Sequence, residues 1–399
     1  MRNHGKMLYL LLLTVGSLPQ VSSDIYTPSL PDIAAHLSVS IHLAQGSLAI
    51  FLAGLAPALL VWGAISDSFG RKIPILCGIA ISFIGSMICA FAQSIEMFYI
   101  GRIIQGIGGA SGSALFRAIL RDVYHGDNLA YVASILGNFI ILTTVAAPFL
   151  GGFFETYLGW RVSFLFLALY SLSIFFLVLT QLTETAPIEH RRPFSIQSIS
   201  QSYREILCNA RFMASTLAVF INFGCVFSWL TVGPIFLIHH LGLKPSMYGI
   251  LMLVISIPMF LSGLTNARWV REKGIFAMLV LGWGVTLFSG VLMLIGYFLW
   301  GLNVYAIIVP IFIAYYGISF IWPNIFSTAV TPFGHISAYA GASYAFIQFS
   351  GGALFSAAFS YLENRTPIPL ALCFIFGPMV AWIVFKMFVG NGLKLCNNL

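Results

Sequence analysis

The chain has 399 residues, 59% of them hydrophobic and only 8% charged, against about 25% charged in an ordinary soluble domain. With a mean hydropathy of +0.95 and no stretch that would make a soluble domain between its apolar runs, this composition excludes a globular enzyme or a soluble binding module. The formal net charge of +7 does not make a nucleic-acid surface either, because the bases are dispersed over short loops instead of gathered on one face.

Arg2 and Lys6 followed by "MLYLLLLTVGSL" resemble a secretion signal. The apolar run continues through Ile25 and Tyr26 without an A-x-A cleavage site, so a retained first helix is expected. A helix needs about 20 apolar residues to cross a hydrocarbon core of roughly 30 Å. Apolar windows of that length predict about twelve spans. The first six fall near 8–27, 43–66, 73–92, 97–119, 130–154 and 160–182. The second six fall near 212–239, 246–269, 275–299, 304–330, 339–361 and 367–388. The long polar segment between the sets divides the chain into an N-terminal half (1–182), a linker (183–210) and a C-terminal half (211–399).

Positive charge orients this pattern, since short cytoplasmic loops accumulate Lys and Arg. With the N-terminus inside, Arg161, Lys244 and Arg365 fall outside and Arg102 falls within a helix, leaving 15 of the 19 bases on the inside. Arg191, Arg192 and Lys394 are among those 15. Both termini are therefore expected in the cytoplasm. The six cysteines, Cys77, Cys89, Cys208, Cys225, Cys373 and Cys396, form no close pair along the chain. They read as apolar packing or reduced thiols, and no metal site is expected.

Most acids fall at the membrane faces; Glu189 is expected inside, Asp32, Glu96, Glu155 and Glu363 outside. Asp24 alone lies within a helix, and Arg102 is its basic counterpart at a similar depth. A charge in the hydrocarbon region is costly and faces protein or a water-filled cavity, which makes both residues functional candidates. Burial favours a protonated carboxyl and a guanidinium favours an ionised one, so the pair suits proton coupling. A static ion pair and a headgroup position for Asp24 are the structural alternatives. Tyr26, Phe116, Asn222, Phe223, Trp229, Asn324 and Gln348 are weaker candidates for a substrate cavity, since amides also tie helices together and most aromatics face lipid or neighbouring helices.

One stretch between the second and third spans, "WGAISDSFGRKIPIL", packs Gly63, Asp67, Gly70, Arg71 and Lys72 into a short inside turn. Gly63 and Asp67, four apart, share a helix face where a missing side chain admits a close neighbour. A short inside loop also reads G-R-K simply to satisfy the positive-inside rule. A weak echo, "GLTNARWVREKG", repeats Gly263, Arg271 and Gly274 after the eighth span without the acid. Such repetition suits two related halves.

The pattern G-x3-D-x2-G-R-K resembles the signature loop of the major facilitator superfamily. "GRIIQGIGGASGS" is similar to the family's second motif, with Arg102, Gln105, Gly106 and Gly108 in place. "AAPFLGG" resembles the antiporter motif of the fifth helix through Pro148, Gly151 and Gly152, with Ala147 standing where the general pattern has Gly. "SSDIYTPSLPDIA", "VGPIFLIHHLGLKPSMYGIL" and "WPNIFSTAVTPFGHISAYAGASYAFIQFSGGAL" resemble the bicyclomycin/chloramphenicol resistance subfamily of drug:proton antiporters.

The resemblance implies an all-α polytopic membrane protein with the major facilitator fold: about twelve helices in two pseudo-symmetric halves. It implies a proton-coupled secondary transporter of the inner membrane, not an enzyme, exporting a drug-like compound by alternating access. Export of an endogenous metabolite or siderophore is the alternative. The expected partners are a small molecule, protons and lipid, in a monomer without nucleic acid. By the same resemblance Asp67 and its neighbours form a charge latch. No phosphate-binding P-loop is present, so an ion gradient without a cofactor is expected to drive transport. A channel or intramembrane enzyme is the different class; the latter would need clustered catalytic groups, and the spans offer one Asp, one Arg and no His.

Overall fold

The computed structural model describes residues 2–124, 126–186, 196–362 and 365–390. Glu189, Arg191, Arg192, Glu363, Lys394 and Cys396 lie outside the described residues. Every regular element among them is helical. The chain divides into two compact units, Met1–Ser200 and Gln201–Leu399.

The first unit begins with α1 (Arg2–Asp24), a 3-10 turn (Thr27–Ser29) and the short α2 (Leu30–His36). Pro28 and Pro31 explain the break, because each removes an N–H donor and restricts the residue before it. Asp24 is thus the last residue of its helix. Then follow α3 (Ile41–Phe69), α4 (Lys72–Ala90), α5 (Ile95–Val123), α6 (Gly126–Leu158) and α7 (Arg161–Gln181). The segment expected as a plain linker contains a helix, α8 (Ile196–Leu207).

The second unit contains α9 (Ala210–Pro234), continued by a π-helical stretch (Ile235–His240), then α10 (Pro245–Trp300), α11 (Val304–Val330), α12 (Ser337–Tyr361) and α13 (Ile368–Phe385). Two spans were expected where α10 runs for 56 residues. Gly274, at φ 78° and ψ 165°, breaks it into two. Among the described residues nine elements are long and apolar enough to cross a membrane, α10 being one of them.

The same pairing order recurs in both units. In the first, α5 packs against α3 and α4, α4 packs against α7, and α1 meets α5, α6 and α7. In the second, α11 packs against both parts of α10, α10 against α13, and α9 meets α11, α12 and α13. Equivalent helices even start alike. Ser94 caps α5 by accepting from the Met97 N–H at 3.3 Å, and Asn303 caps α11 by accepting from the Ala306 N–H at 2.9 Å. Each satisfies a donor that the first helical turn leaves without a partner.

Small residues make the contacts close. A Cβ on Gly106 would strike the Phe51 carbonyl of α3, one on Gly108 would meet Ser82 and the Gly78 carbonyl of α4, and one on Gly112 would strike the Val15 carbonyl of α1. Gly282 and Gly317 do the same for α10 and α11, each placing a Cβ 2.7 Å from the other's carbonyl. Lipid offers no hydrophobic drive between helices, so such backbone-to-backbone packing is what holds them.

Candidate functional site

Arg102 sits about two turns into α5 and is fully buried. Its guanidinium carbon lies 4.2 Å from the Tyr26 ring centroid and 4.3 Å from that of Phe51. The planar cation therefore has an aromatic face on two sides, the arrangement that best replaces water around a weakly hydrated guanidinium. At its edge, Nη1 donates to the Ser22 carbonyl at 3.0 Å and to Gln105 Oε1. Gln105 lies one turn further along α5 and passes the interaction on, donating from Nε2 to Ser86 Oγ of α4 at 2.8 Å. Nε and Nη2 of Arg102 have no hydrogen-bond partner.

Asp24 is 3% exposed and accepts a hydrogen bond from the Ser23 hydroxyl. No ion pair within 4.0 Å joins it to Arg102. The two expected partners are thus brought into the same unit, with Arg102 holding the backbone two residues before Asp24 and the carboxylate bonded to Ser23 instead of to the guanidinium. A static salt bridge is not the arrangement present, and the Asp24 side chain faces protein instead of solvent.

The signature turn forms a separate charge network. Arg71 Nη1 pairs with Asp67 Oδ1 at 2.7 Å and Nε with Asp122 Oδ2 at 2.9 Å, and Nη1 also donates to Ser66 Oγ. Burial works against the Arg71 charge, but its hydrogen bonds to the Asp122 and Asp67 carboxylates outweigh it and hold the group above its ordinary value. The backbone N–H of Arg71 donates to Glu184 Oε1 at 2.8 Å, and the Lys72 ammonium donates to the Leu179 carbonyl at 2.9 Å. Asp122 also accepts from Thr185 at 3.1 Å. The turn is thereby fastened to the ends of α5 and α7.

Gly63 corrects the expectation. A Cβ placed there meets nothing within 4 Å, so no close helix approach explains it. The other packing motifs do make close contacts: Pro148 and Gly152 are buried on α6, and a Cβ on Gly151 would strike the Ile25 carbonyl.

Of the cavity candidates, Tyr26 belongs to the core of the first unit. It is fully buried, shares a hydrogen bond with Ser47 Oγ at 3.0 Å and packs against Phe98 and Phe164. It serves Arg102 instead of lining an open cavity. Phe116 and Gln348 are half-buried. Asn222 has a buried carbonyl without a hydrogen-bond partner, and so does the Trp229 indole N–H. Phe223 packs against Phe227, Trp322 and Phe349. Asn324 is already committed, donating to Asn266 Oδ1 and to the Phe320 carbonyl, both at 2.7 Å.

Cys225 and Cys373, far apart in sequence, lie with their sulfurs 3.6 Å apart as free thiols. Glu155, expected at the outer face, is 7% exposed, its side chain turned toward protein. Sequence reasoning also missed Phe51, Ser86, Asp122 and Glu184. Only the Arg102–Gln105 spacing, three apart on one helix face, carried a readable signal.

Two units that repeat one helix-pairing order, one of them enclosing an arginine and an unpaired aspartate in apolar helices, define a multi-pass membrane transporter and not an enzyme. A match to the Major Facilitator Superfamily extends over residues 12–356, and the chain belongs to that family. It is similar to the bicyclomycin resistance protein homolog of Haemophilus influenzae, 29% identical over 72% of this chain and 73% of that one. It is 25% identical to multidrug resistance protein D of Escherichia coli over 86% of this chain and 85% of that one. The D-xylose-proton symporter shares the fold, with a TM-score of 0.77 at 14% identity, over 97% of this chain and 98% of that one.

Proposed function

We propose that the protein exports a small organic compound in exchange for protons, driven by the proton gradient across a bacterial-type inner membrane, with both termini in the cytoplasm. The observation that carries this reading is the buried Asp24 carboxyl, which among the described residues has no basic partner within 4.0 Å although Arg102 is buried in the same unit. A carboxyl in that position can gain and lose a proton, whereas one locked in a salt bridge would stay ionised. Arg102 remains charged throughout and cannot carry the proton; it fixes the backbone that presents Asp24. The relatives named for bicyclomycin and multidrug resistance support a drug-like cargo.

Asp67, Gly70, Arg71 and Lys72 act in this reading as the conformational latch, exchanging charge contacts as the transporter changes state. Export of an endogenous metabolite or siderophore is the second reading. The two unfilled donors of Arg102 favour it, because they suit an anionic cargo.

The test is substrate-dependent proton release and proton-driven flux in everted vesicles, against a panel of antibiotics, siderophores and amino-acid derivatives. Flux without proton movement would sink the antiport reading. Orientation is checked by labelling Ser195→Cys with an impermeant reagent, which should fail in intact spheroplasts and succeed in everted vesicles.

A further inference from the structure

We propose that Glu155 and Asp32 form a second proton-binding site, holding one proton between two carboxyl groups at the end of the first unit where α1 finishes. The argument starts from helix register. Gly151 of α6 packs so closely on the Ile25 carbonyl that no Cβ fits between them. One helical turn further, α6 presents Glu155; one turn beyond Ile25, the opposing segment presents Ser29. Thr27, Pro28 and Ser29 are all buried. The Glu155 carboxyl accordingly meets the side chains of Ser29 and Asp32.

The two acids differ in setting. Glu155 is buried and Asp32 is exposed, so the pair joins solvent to the protein interior. Glu155 Oε2 and the fully buried Ser29 hydroxyl both lack a hydrogen-bond partner. The charged and titratable groups on the neighbouring elements are otherwise occupied. Arg161 of α7 lies 4.2 Å from the Trp160 ring and donates to the Ala92 carbonyl at 3.2 Å. His36 of α2 contacts the Asp32 backbone carbonyl at 3.3 Å, Arg102 of α5 is held by Ser22 and Gln105, and Asp24 ends α1. Among the described residues no base within 4.0 Å neutralises either acid.

Two carboxylates in contact, one of them out of water and neither paired with a base, do not both ionise; they share a proton. Asp32 exchanges that proton with the medium and Glu155 carries it inward. Between Ser29 and the end of α1, the Thr27 hydroxyl donates to the Asp24 backbone carbonyl at 2.8 Å. The inference deepens the proton-coupled reading by supplying a loading point distinct from Asp24, but the site can be observed without transport.

The experiment is a pH titration of the full-length protein, purified in detergent, by infrared difference spectroscopy of the protonated-carboxyl C=O stretch. A component that disappears as pH rises should be lost in both Glu155→Gln and Asp32→Asn and kept in Asp24→Asn. Asp32 is exposed, so its variant preserves the fold even where Glu155→Gln does not. Retention of the full wild-type signal in folded Asp32→Asn or in folded Glu155→Gln overturns the proposal. If the component behaves as expected while substrate-dependent proton release is absent in vesicles, the site stands and the antiport reading fails.

Discussion

Arg102 donates to the carbonyl of Ser22 at 3.0 Å and so grips the last turn of α1 through its backbone, two residues before Asp24. The arginine positions the acid without neutralising it. Asp24→Asn should therefore abolish substrate-induced proton release and proton-driven accumulation while the protein remains folded, because no salt bridge is lost. Vesicle flux at pH 6 to about 9, the upper range in which a shifted carboxyl still titrates, measures this. Undiminished gradient-driven transport by the variant would remove Asp24 from the coupling path.

Arg102→Lys is not a conservative change at this position. A lysine keeps the charge but cannot lay a planar cation between Tyr26 and Phe51 while donating from its edge to Ser22 and Gln105. Cation–π contacts are worth about 2 kcal/mol or more when desolvated. The variant should unfold at clearly lower temperature than wild type and lose transport. Wild-type behaviour in both assays would show that charge alone matters there.

The signature turn separates folding from turnover. Arg71 keeps one carboxylate partner when the other is neutralised, so Asp67→Asn and Asp122→Asn should each lower the thermal unfolding midpoint in detergent only modestly. Transport should nevertheless fall markedly in Asp67→Asn. Normal flux at normal abundance would reject the latch.

Glycine substitutions should sort by what a methyl group meets. Gly151→Ala and Gly106→Ala drive a Cβ into the carbonyls of Ile25 and Phe51 and should destabilise by about 1–3 kcal/mol, the usual cost of overpacking. Gly63→Ala has open space and should stabilise α3 by about 0.5–1 kcal/mol, the propensity gain in a helix interior. Unfolding midpoints of the three variants decide it; equal shifts would contradict the packing described.

The sequence carried the architecture because lipid imposes length and hydrophobicity on every span, and because loop charge records orientation independently. It also carried Arg102, Asp24 and the signature turn, since a charge among apolar residues stands out. What it could not carry was contact across helices. Phe51 looks like any other apolar residue, yet it is one wall of the Arg102 site. Asp122 and Glu184 looked like ordinary inside-face acids, and only the folded chain brings them to Arg71. The burial of Glu155 was not legible, because counting residues to a helix end measures depth along the axis; whether its side chain faces protein depends on the Gly151–Ile25 register.

Gly70 and Gly274 share a backbone state, φ 89° with ψ −177° and φ 78° with ψ 165°, that is open almost solely to glycine and would cost another residue about 1–3 kcal/mol. The first turn is ringed by Asp67, Arg71, Asp122 and Glu184; counted back from the second glycine, Arg271 stands where Asp67 would fall, followed by Glu272. The glycine conformation is what the two bends share, while the charges around them differ. The bend therefore does not depend on the particular ring of charges at the first turn. That ring is a set of contacts that can be released and remade while the hinge beneath it keeps its shape.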